Sequence, residues 1–360
     1  MAVNSAKKLD GKLLELSVER LIKSCGFKPV THDGLYVQQN GSGLRWVNGK
    51  GSSHDADVLL EPPFQPPFCY PTRLLVECKN LRQSVGLPLV RAGFGLREDI
   101  NGFEVVTKDH LTQRRNTRRN VLAVEIRNRF QYQVAVASAS GFTKPAIEFA
   151  INNKIPLIDV SRIVPGIELD LNEISRYSDQ SKRLLLDYVN SKGFISIEDS
   201  IDPPSGLDTA TVEVSAFNRL ARKLSSVEEQ IIVGSMESGE ILFLVANSTT
   251  KNNLLELQLS NSSIIRCDIY YEDNSEKWRL VIPEIPGKEE LTLDFVLPYY
   301  FFQAWANSSF DESFAIDMKE DLMKNITLYT IIHERVVVIR MYLGESWLRE
   351  MRRLRELRRT

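Results

Sequence analysis

The apolar positions of the chain change period several times. Over residues 9–25 (LDGKLLELSVERLIKSC) they fall at Leu13, Leu14, Leu16, Val18, Leu21 and Ile22, a helical stripe that stops where Gly26 follows. This spacing predicts an amphipathic helix of about four turns. Residues 38–56 (QQNGSGLRWVNGKGSSHDA) lose the period and are rich in Gly, Ser and Asn, which predicts a loop or a ragged hairpin. Two apolar runs follow, Val58-Leu59-Leu60 and Leu74-Leu75-Val76, separated by EPPFQPPFCYP, and read as adjacent strands of a buried sheet. A helix is expected over 85–100. Tyr132–Ala137 reads as a third buried strand, Ser138–Thr143 as a turn, Lys144–Asn152 as a helix with Pro145 in its first turn, and Ile155–Val160 as a fourth strand. Strand, helix and strand within thirty residues form a βαβ unit with parallel pairing.

Beyond residue 165 the pattern predicts one helix over 171–191 and a linker at IDPPSG, 201–206. From 228 to 297 short β-type runs alternate with turn signals: Gln230–Gly234, Ile241–Ala246, Leu254–Leu259, Ile264–Tyr271, Trp278–Ile282 and Leu291–Val296. The chain closes with a strand-like Arg335–Tyr342 and a basic helix, Ser346–Arg359, with Leu348, Met351, Leu354 and Leu357 at a spacing of three. A length of 360 residues suits two domains.

Charge sharpens this division. The whole chain carries 45 Lys plus Arg against 47 Asp plus Glu, a net −2, but residues 1–165 hold 23 basic and 15 acidic side chains, net +8. Residues 166–340 hold 16 and 29, net −13, and the last twenty hold 6 and 3. The front half therefore suits a polyanionic partner and the acidic half does not. No apolar run approaches the ~18–20 residues of a membrane span, and the first residues lack the apolar core of a signal peptide; a cytoplasmic protein without a membrane partner is expected. Cys25, Cys69, Cys78 and Cys267 form no C-x-x-C pair, so neither a disulfide framework nor a zinc site is predicted.

The segment that carries chemistry is Asp57-Val58-Leu59-Leu60, a twenty-residue interval, then Glu77-Cys78-Lys79 at the end of Leu74-Leu75-Val76. Residues i and i+2 of a strand share a face, so Glu77 and Lys79 project together. With the two strands paired, two carboxylates and one ammonium converge at the rim of the sheet. Hard oxygen ligands of this kind hold Mg²⁺, which keeps several waters and takes one or two carboxylates plus a substrate phosphate. The backbone carbonyl of Cys78 is a further hard ligand in reach. Alternating Glu and Lys on a strand is ordinarily a solvated face, but here the charges emerge from an apolar run, where an unpartnered carboxylate is costly. Asp55 is the competing acidic residue; Asp57 is preferred because the apolar strand starts right after it. His54, beside two aspartates, reads as a hydrogen-bonded surface group, with a metal ligand or a phosphate contact as the alternatives.

At these residues the chain resembles the PD-(D/E)xK nuclease superfamily, and within it the Mrr-like restriction endonucleases. The resemblance covers roughly residues 9–163: the helix with Leu14-Glu15 leading to Cys25-Gly26-Phe27, the Asp57 strand, Glu77-Cys78-Lys79, and VAVASASGFTKPA at 134–146 continuing to Ile155-Pro156-Leu157-Ile158-Asp159. It implies an α/β restriction-endonuclease-like core, a mixed central sheet flanked by helices, followed by a mostly β C-terminal domain. Asp57 and Glu77 would then bind Mg²⁺, or Mn²⁺ in its place, Lys79 would position or activate the attacking water, and Glu15 would contribute from the first helix. Gln133 would match a glutamine often seen near such sites, with Gln131 as the competing position. The long stretch from Arg82 to Gln131 departs from the pattern.

Arg114, Arg115, Arg118 and Arg119 form a compact positive run, expected to contact the phosphates of double-stranded DNA without base specificity. Lys144, at a helix start, is a second phosphate candidate. GLRWVNGKG has one residue too many between its glycines for a phosphate-binding loop and lacks the following Ser or Thr; SASG at 138–141 lacks a serine-hydrolase elbow. The expected organisation is a nuclease domain at 1–165, a helical connector and linker at 166–206, a β-rich regulatory or assembly domain at 207–345 facing a protein partner or a second copy, and a basic helix at 346–360. The expected function is a Mg²⁺-dependent DNA endonuclease of restriction or anti-phage defence. The rival readings are a non-catalytic DNA-binding or scaffold subunit and a DNA-repair nuclease.

Overall fold

The computed structural model describes residues 9–33, 36–39, 45–65, 69–103, 130–200, 213–236, 240–259, 264–272, 277–283, 290–309 and 311–359. Helix α1 (Leu9–Lys23) buries the predicted stripe, Leu13, Leu14, Val18, Leu21 and Ile22. It ends before Gly26, whose φ of +100° is a conformation glycine adopts without strain. After the short β1 (Lys28–Pro29), strands β2 (Val37–Gln39), β3 (Arg45–Asn48) and β4 (Ser53–Ala56) form a small antiparallel sheet. Of the loop or ragged hairpin expected at 38–56, the hairpin alternative holds among the described residues, with β3 paired antiparallel to both β2 and β4. Val37, Val47 and Ala56 bury one face of the small sheet against the main sheet, and the turn from β3 to β4 is closed by the Gly49 N–H donating to the Ser52 carbonyl at 2.7 Å.

The main sheet adds β5 (Val58–Glu61), β6 (Thr72–Lys79), β7 (Gln131–Ser138) and β8 (Leu157–Asp159), in the order β1-β5-β6-β7-β8. β5 and β6 pair antiparallel with Val58 opposite Val76; β6, β7 and β8 run parallel. Helix α2 (Leu87–Asn101) packs on β7, where the missing side chain of Gly93 brings its backbone close to Val136. Helix α3 (Lys144–Asn152) makes the expected crossover from β7 to β8. Helices therefore flank a mixed sheet, α1 on one face and α2 and α3 on the other.

Two short helices, α4 (Val160–Ile163) and α5 (Ile167–Ile174), precede α6 (Asp179–Lys192). The single helix expected over 171–191 is broken because Ser178 caps α6, its hydroxyl accepting the Ser181 N–H at 3.1 Å. Helix α7 (Ser215–Gln230), where no element was expected, buries Phe217, Leu220, Ala221 and Leu224 in the same apolar cluster as α1, α5 and α6. The predicted linker at 201–206 lies outside the described residues.

The C-terminal part is a closed seven-stranded barrel of β9 (Ile231–Met236), β10 (Ile241–Val245), β11 (Ile264–Glu272), β12 (Lys277–Ile282), β13 (Leu291–Val296), β14 (Asn325–Ile332) and β15 (Arg335–Leu343), in the order β10-β13-β12-β11-β15-β14-β9. All pairs are antiparallel except β11 with β15, and closure leaves no open sheet edge. Leu254–Leu259, expected as a strand, belongs instead to helix α8 (Ser248–Leu259): Leu254 and Leu257 are buried three residues apart, a helical rather than an alternating spacing. Helices α9 (Tyr299–Asn307) and α10 (Glu312–Leu322) close over the barrel. The basic terminal helix is α11 (Glu345–Arg359); Trp347 and Leu348 sink into the barrel's core while Leu354 stays exposed. Among the described residues no helix is long and apolar enough to cross a membrane.

Candidate active site

The register of β5 on β6 decides where the charges meet. With Val58 opposite Val76, Asp57 stands beside the end of β6, and its Oδ2 accepts the backbone N–H of Cys78 at 2.8 Å. Lys79 Nζ donates to Glu77 Oε2 at 2.8 Å and lies 3.9 Å from Asp57 Oδ2. Strand alternation sends Glu77 and Lys79 to the face of Leu75, while Leu74 and Val76 pack under α1 and the Cys78 side chain joins them. Asp57, Glu77 and Lys79 are all partly buried, so their charges act on one another through a medium less screening than water.

The titration behaviour follows from this crowding. Burial pushes the Glu77 carboxyl above its ordinary range; the Lys79 hydrogen bond and charge oppose the rise and the Asp57 charge adds to it. Burial alone would lower the Lys79 ammonium, but the hydrogen bond to Glu77 and the charges of Glu77 and Asp57 outweigh it and hold Lys79 above its usual value. Burial raises Glu15, against the pull of Lys12, whose Nζ is 2.9 Å from Glu15 Oε2; the charges of Asp57 and Lys79 both reach it. Burial also pushes the Cys78 thiol well up, with the charges of Asp57, Glu15 and Glu77 acting in the same direction, which favours the protonated thiol over the thiolate.

The structure thus brings Asp57, Glu77, Lys79 and the Cys78 backbone together, with Glu15 at the margin on α1. Glu19, one turn on, pairs with Arg45 instead, at 3.6 Å. Asp55 lies on the outer, exposed face of β4, away from the cluster. Gln133 is not part of the group. It stands opposite Leu74, on the other face of the sheet from Glu77, and its Nε2 donates to the Lys154 carbonyl at 3.1 Å. Gln131 shares that face; the β7 residue beside Lys79 is the buried Ser138, whose hydroxyl accepts the Ser140 N–H. Lys144 is exposed at the start of α3, 4.0 Å from Glu148, and does not join the cluster. Arg114, Arg115, Arg118 and Arg119 lie outside the described residues.

One pair was not legible beforehand. His54 shares a face with Val47, its partner across β3, and with Ala56, the face turned toward Leu75. Its Nε2 is 2.7 Å from Asp99 Oδ2, near the C-terminal end of α2, and its charge is felt at Glu77. Asp99 is pulled below the usual carboxylate range chiefly by that hydrogen bond. The two residues are 45 positions apart, and no motif links them.

Whether the donor set suits Mg²⁺ can be read from its atoms. Among the described residues no three His, Cys, Asp or Glu side chains are grouped to hold an ion by themselves. Mg²⁺ asks for less, one or two carboxylates with water and phosphate completing its shell. Asp57 Oδ1 and Glu77 Oε1 accept no hydrogen bond from described residues, so each carboxylate keeps one hard oxygen uncommitted.

No family model and no curated protein matches the chain. Among solved structures, the crystal structure of a protein of unknown function, AF1548, is similar at a TM-score of 0.30 and 16% identity, over 60% of this chain and 97% of that one. A likeness at that score carries no argument about activity.

Proposed function

We propose that the chain is a Mg²⁺-dependent DNA endonuclease with a restriction-endonuclease-like core, acting in restriction or anti-phage defence. The observation that carries this reading is the convergence of Asp57, Glu77 and Lys79 at one end of paired strands, with an uncommitted oxygen on each carboxylate.

In the reaction, a water oxygen adds to phosphorus and the bond to one ester oxygen breaks, leaving a phosphomonoester and a hydroxyl. Asp57 and Glu77 would hold Mg²⁺, or Mn²⁺ in its place. When bound, the ion supplies Lewis-acid polarisation of the phosphoryl oxygen and activation of a water. The Cys78 N–H fixes Asp57 through Oδ2, which turns Oδ1 into the free donor. Lys79, tied to Glu77, keeps its ammonium charged beside the reacting centre, where it orients the attacking water and balances charge that develops on the phosphoryl oxygens. Glu15 adds negative charge from α1. The net +8 of residues 1–165, including the arginines at 114–119, supplies sequence-independent attraction to duplex DNA. The acidic barrel serves regulation or assembly through a protein partner or a second copy.

The test is cleavage of plasmid DNA by the purified full chain. With Mg²⁺ or Mn²⁺ the wild type nicks or linearises it, and chelation stops the reaction. Asp57→Ala and Glu77→Ala each lose at least about 100-fold in rate, the scale expected for removing a group that stabilises developing charge. Variants that cut like the wild type would overturn the assignment.

A further inference from the structure

We propose that His54 is a further substrate-contacting residue of this site, donating from Nδ1 to a phosphate oxygen of the DNA, and that Asp99 is the positioning residue that holds it. The proposal rests on the nuclease reading above. Its observations are separate from those that carry that reading.

First, His54 is placed on the reacting side. β4 alternates so that His54 and Ala56 point toward the Leu75 face of the main sheet, the face on which Glu77 and Lys79 project, whereas Asp55 points outward. Only Asp55 and Ala56 separate His54 from Asp57, so one short segment of chain delivers both.

Second, the ring is fixed from behind. Asp99 Oδ2 lies 2.7 Å from His54 Nε2, and Ser52 Oγ is 3.3 Å from the same nitrogen. Asp99 is itself immobilised: its Oδ1 accepts the Gly51 N–H at 2.7 Å and its carbonyl accepts the Lys50 N–H at 3.0 Å. A Cβ at Gly49 would overlap Asp99 Oδ2, so this turn accepts the carboxylate only because residue 49 has no side chain. The turn that superficially suggests a phosphate loop thus binds an internal carboxylate.

Third, the remaining nitrogen is available. With the Nε2 proton given to Asp99, Nδ1 is the edge left for a ligand, and among described residues it has no hydrogen-bond partner. The side chain is 29% exposed, enough to meet substrate and too little to wander. The charged groups that act with it are Asp99 from α2, through the hydrogen bond, and Glu77 from β6, where its charge is felt. In the imidazolium form, Nδ1–H is a charge-assisted donor to phosphate.

The experiment compares the full-length wild type, His54→Ala and Asp99→Asn for DNA cleavage with Mn²⁺ and for duplex binding with Ca²⁺, each after thermal unfolding has shown an intact fold. His54→Ala is expected to lose about 100-fold in kcat/KM, and added imidazole is expected to restore part of it, which a purely structural role would not allow. In Asp99→Asn the amide oxygen must keep facing the Gly51 N–H, so its NH₂ faces Nε2 and drives the proton of the neutral ring onto Nδ1. Cleavage by that variant should then persist to higher pH than in the wild type. Wild-type cleavage with an unchanged kcat/KM in His54→Ala, or a loss that imidazole leaves untouched, overturns this proposal alone. A wild type that cuts nothing under any metal overturns the nuclease reading and this proposal with it.

Discussion

At the scale of single residues, the chemistry is set by where charged side chains leave apolar strands. The convergence of Asp57, Glu77 and Lys79 was legible because each stands at the boundary of an apolar run. Gln133 was not, because its face depends on the parallel register of β7 against β6, with Gln133 opposite Leu74, and neither strand states that register by itself. His54 and Asp99 meet only because α2 folds back onto the β3–β4 turn. The raised Glu77 carboxyl has a consequence for stability. In the metal-free protein the folded state holds the Glu77 proton more tightly than the unfolded chain does, so between the ordinary value of 4.5 and the raised one the folded state binds more protons. Stability therefore falls as pH rises through that window. Urea unfolding in EDTA should show the wild type losing stability relative to Glu77→Gln as pH climbs from about 4.5, the ordinary carboxyl value; parallel curves would show that burial does not act on this carboxyl as described.

At the scale of elements, α1, the β5–β6 pair and the β7-α3-β8 crossover follow from local period and punctuation. The failures have physical causes. Ser178 breaks the connector helix by offering a cap, and Leu254 and Leu257 repeat at three rather than two. β14 alternates cleanly, with Ile326, Leu328 and Ile332 inward, but it follows two aromatic and acidic helices whose apolar positions hide it. Lys319 on α10 is the most exacting feature of the barrel: it is buried, donates to the Ile269 carbonyl at 3.0 Å and sits over the rings of Trp278 and Trp347. Burial pushes its ammonium down to about 8. Between that value and the ordinary 10.5 the unfolded chain binds a proton that the folded barrel does not, so stability rises with pH across the window and is lost as pH falls through about 8. Relative to Lys319→Met, the wild type should gain stability with a slope approaching about 1.4 kcal/mol per pH unit in denaturant titrations; a flat difference would mean that Lys319 is hydrated.

At the scale of the molecule, the two charge regimes read from the sequence share one scaffold. The apolar cluster that begins on α1 continues through α5, α6 and α7 to Ile231, Val233 and Phe243 of the barrel, and Arg20 on α1 pairs with Glu228 on α7 at 2.5 Å. The barrel and the helix that carries Glu15 therefore share one apolar core. Composition could announce two charge regimes; it could not announce a shared core, because that depends on α7 lying against α1. The central claim remains chemical, that Lys79 works beside Asp57 and Glu77 on a phosphodiester. Its most direct measurement is the single-turnover cleavage rate of one end-labelled duplex by wild type and Lys79→Ala across a Mg²⁺ titration. The account predicts a wild-type rate that rises and saturates with Mg²⁺ and a Lys79→Ala rate at least about 100-fold lower at every concentration; equal rates, or cleavage indifferent to the divalent ion, would contradict it.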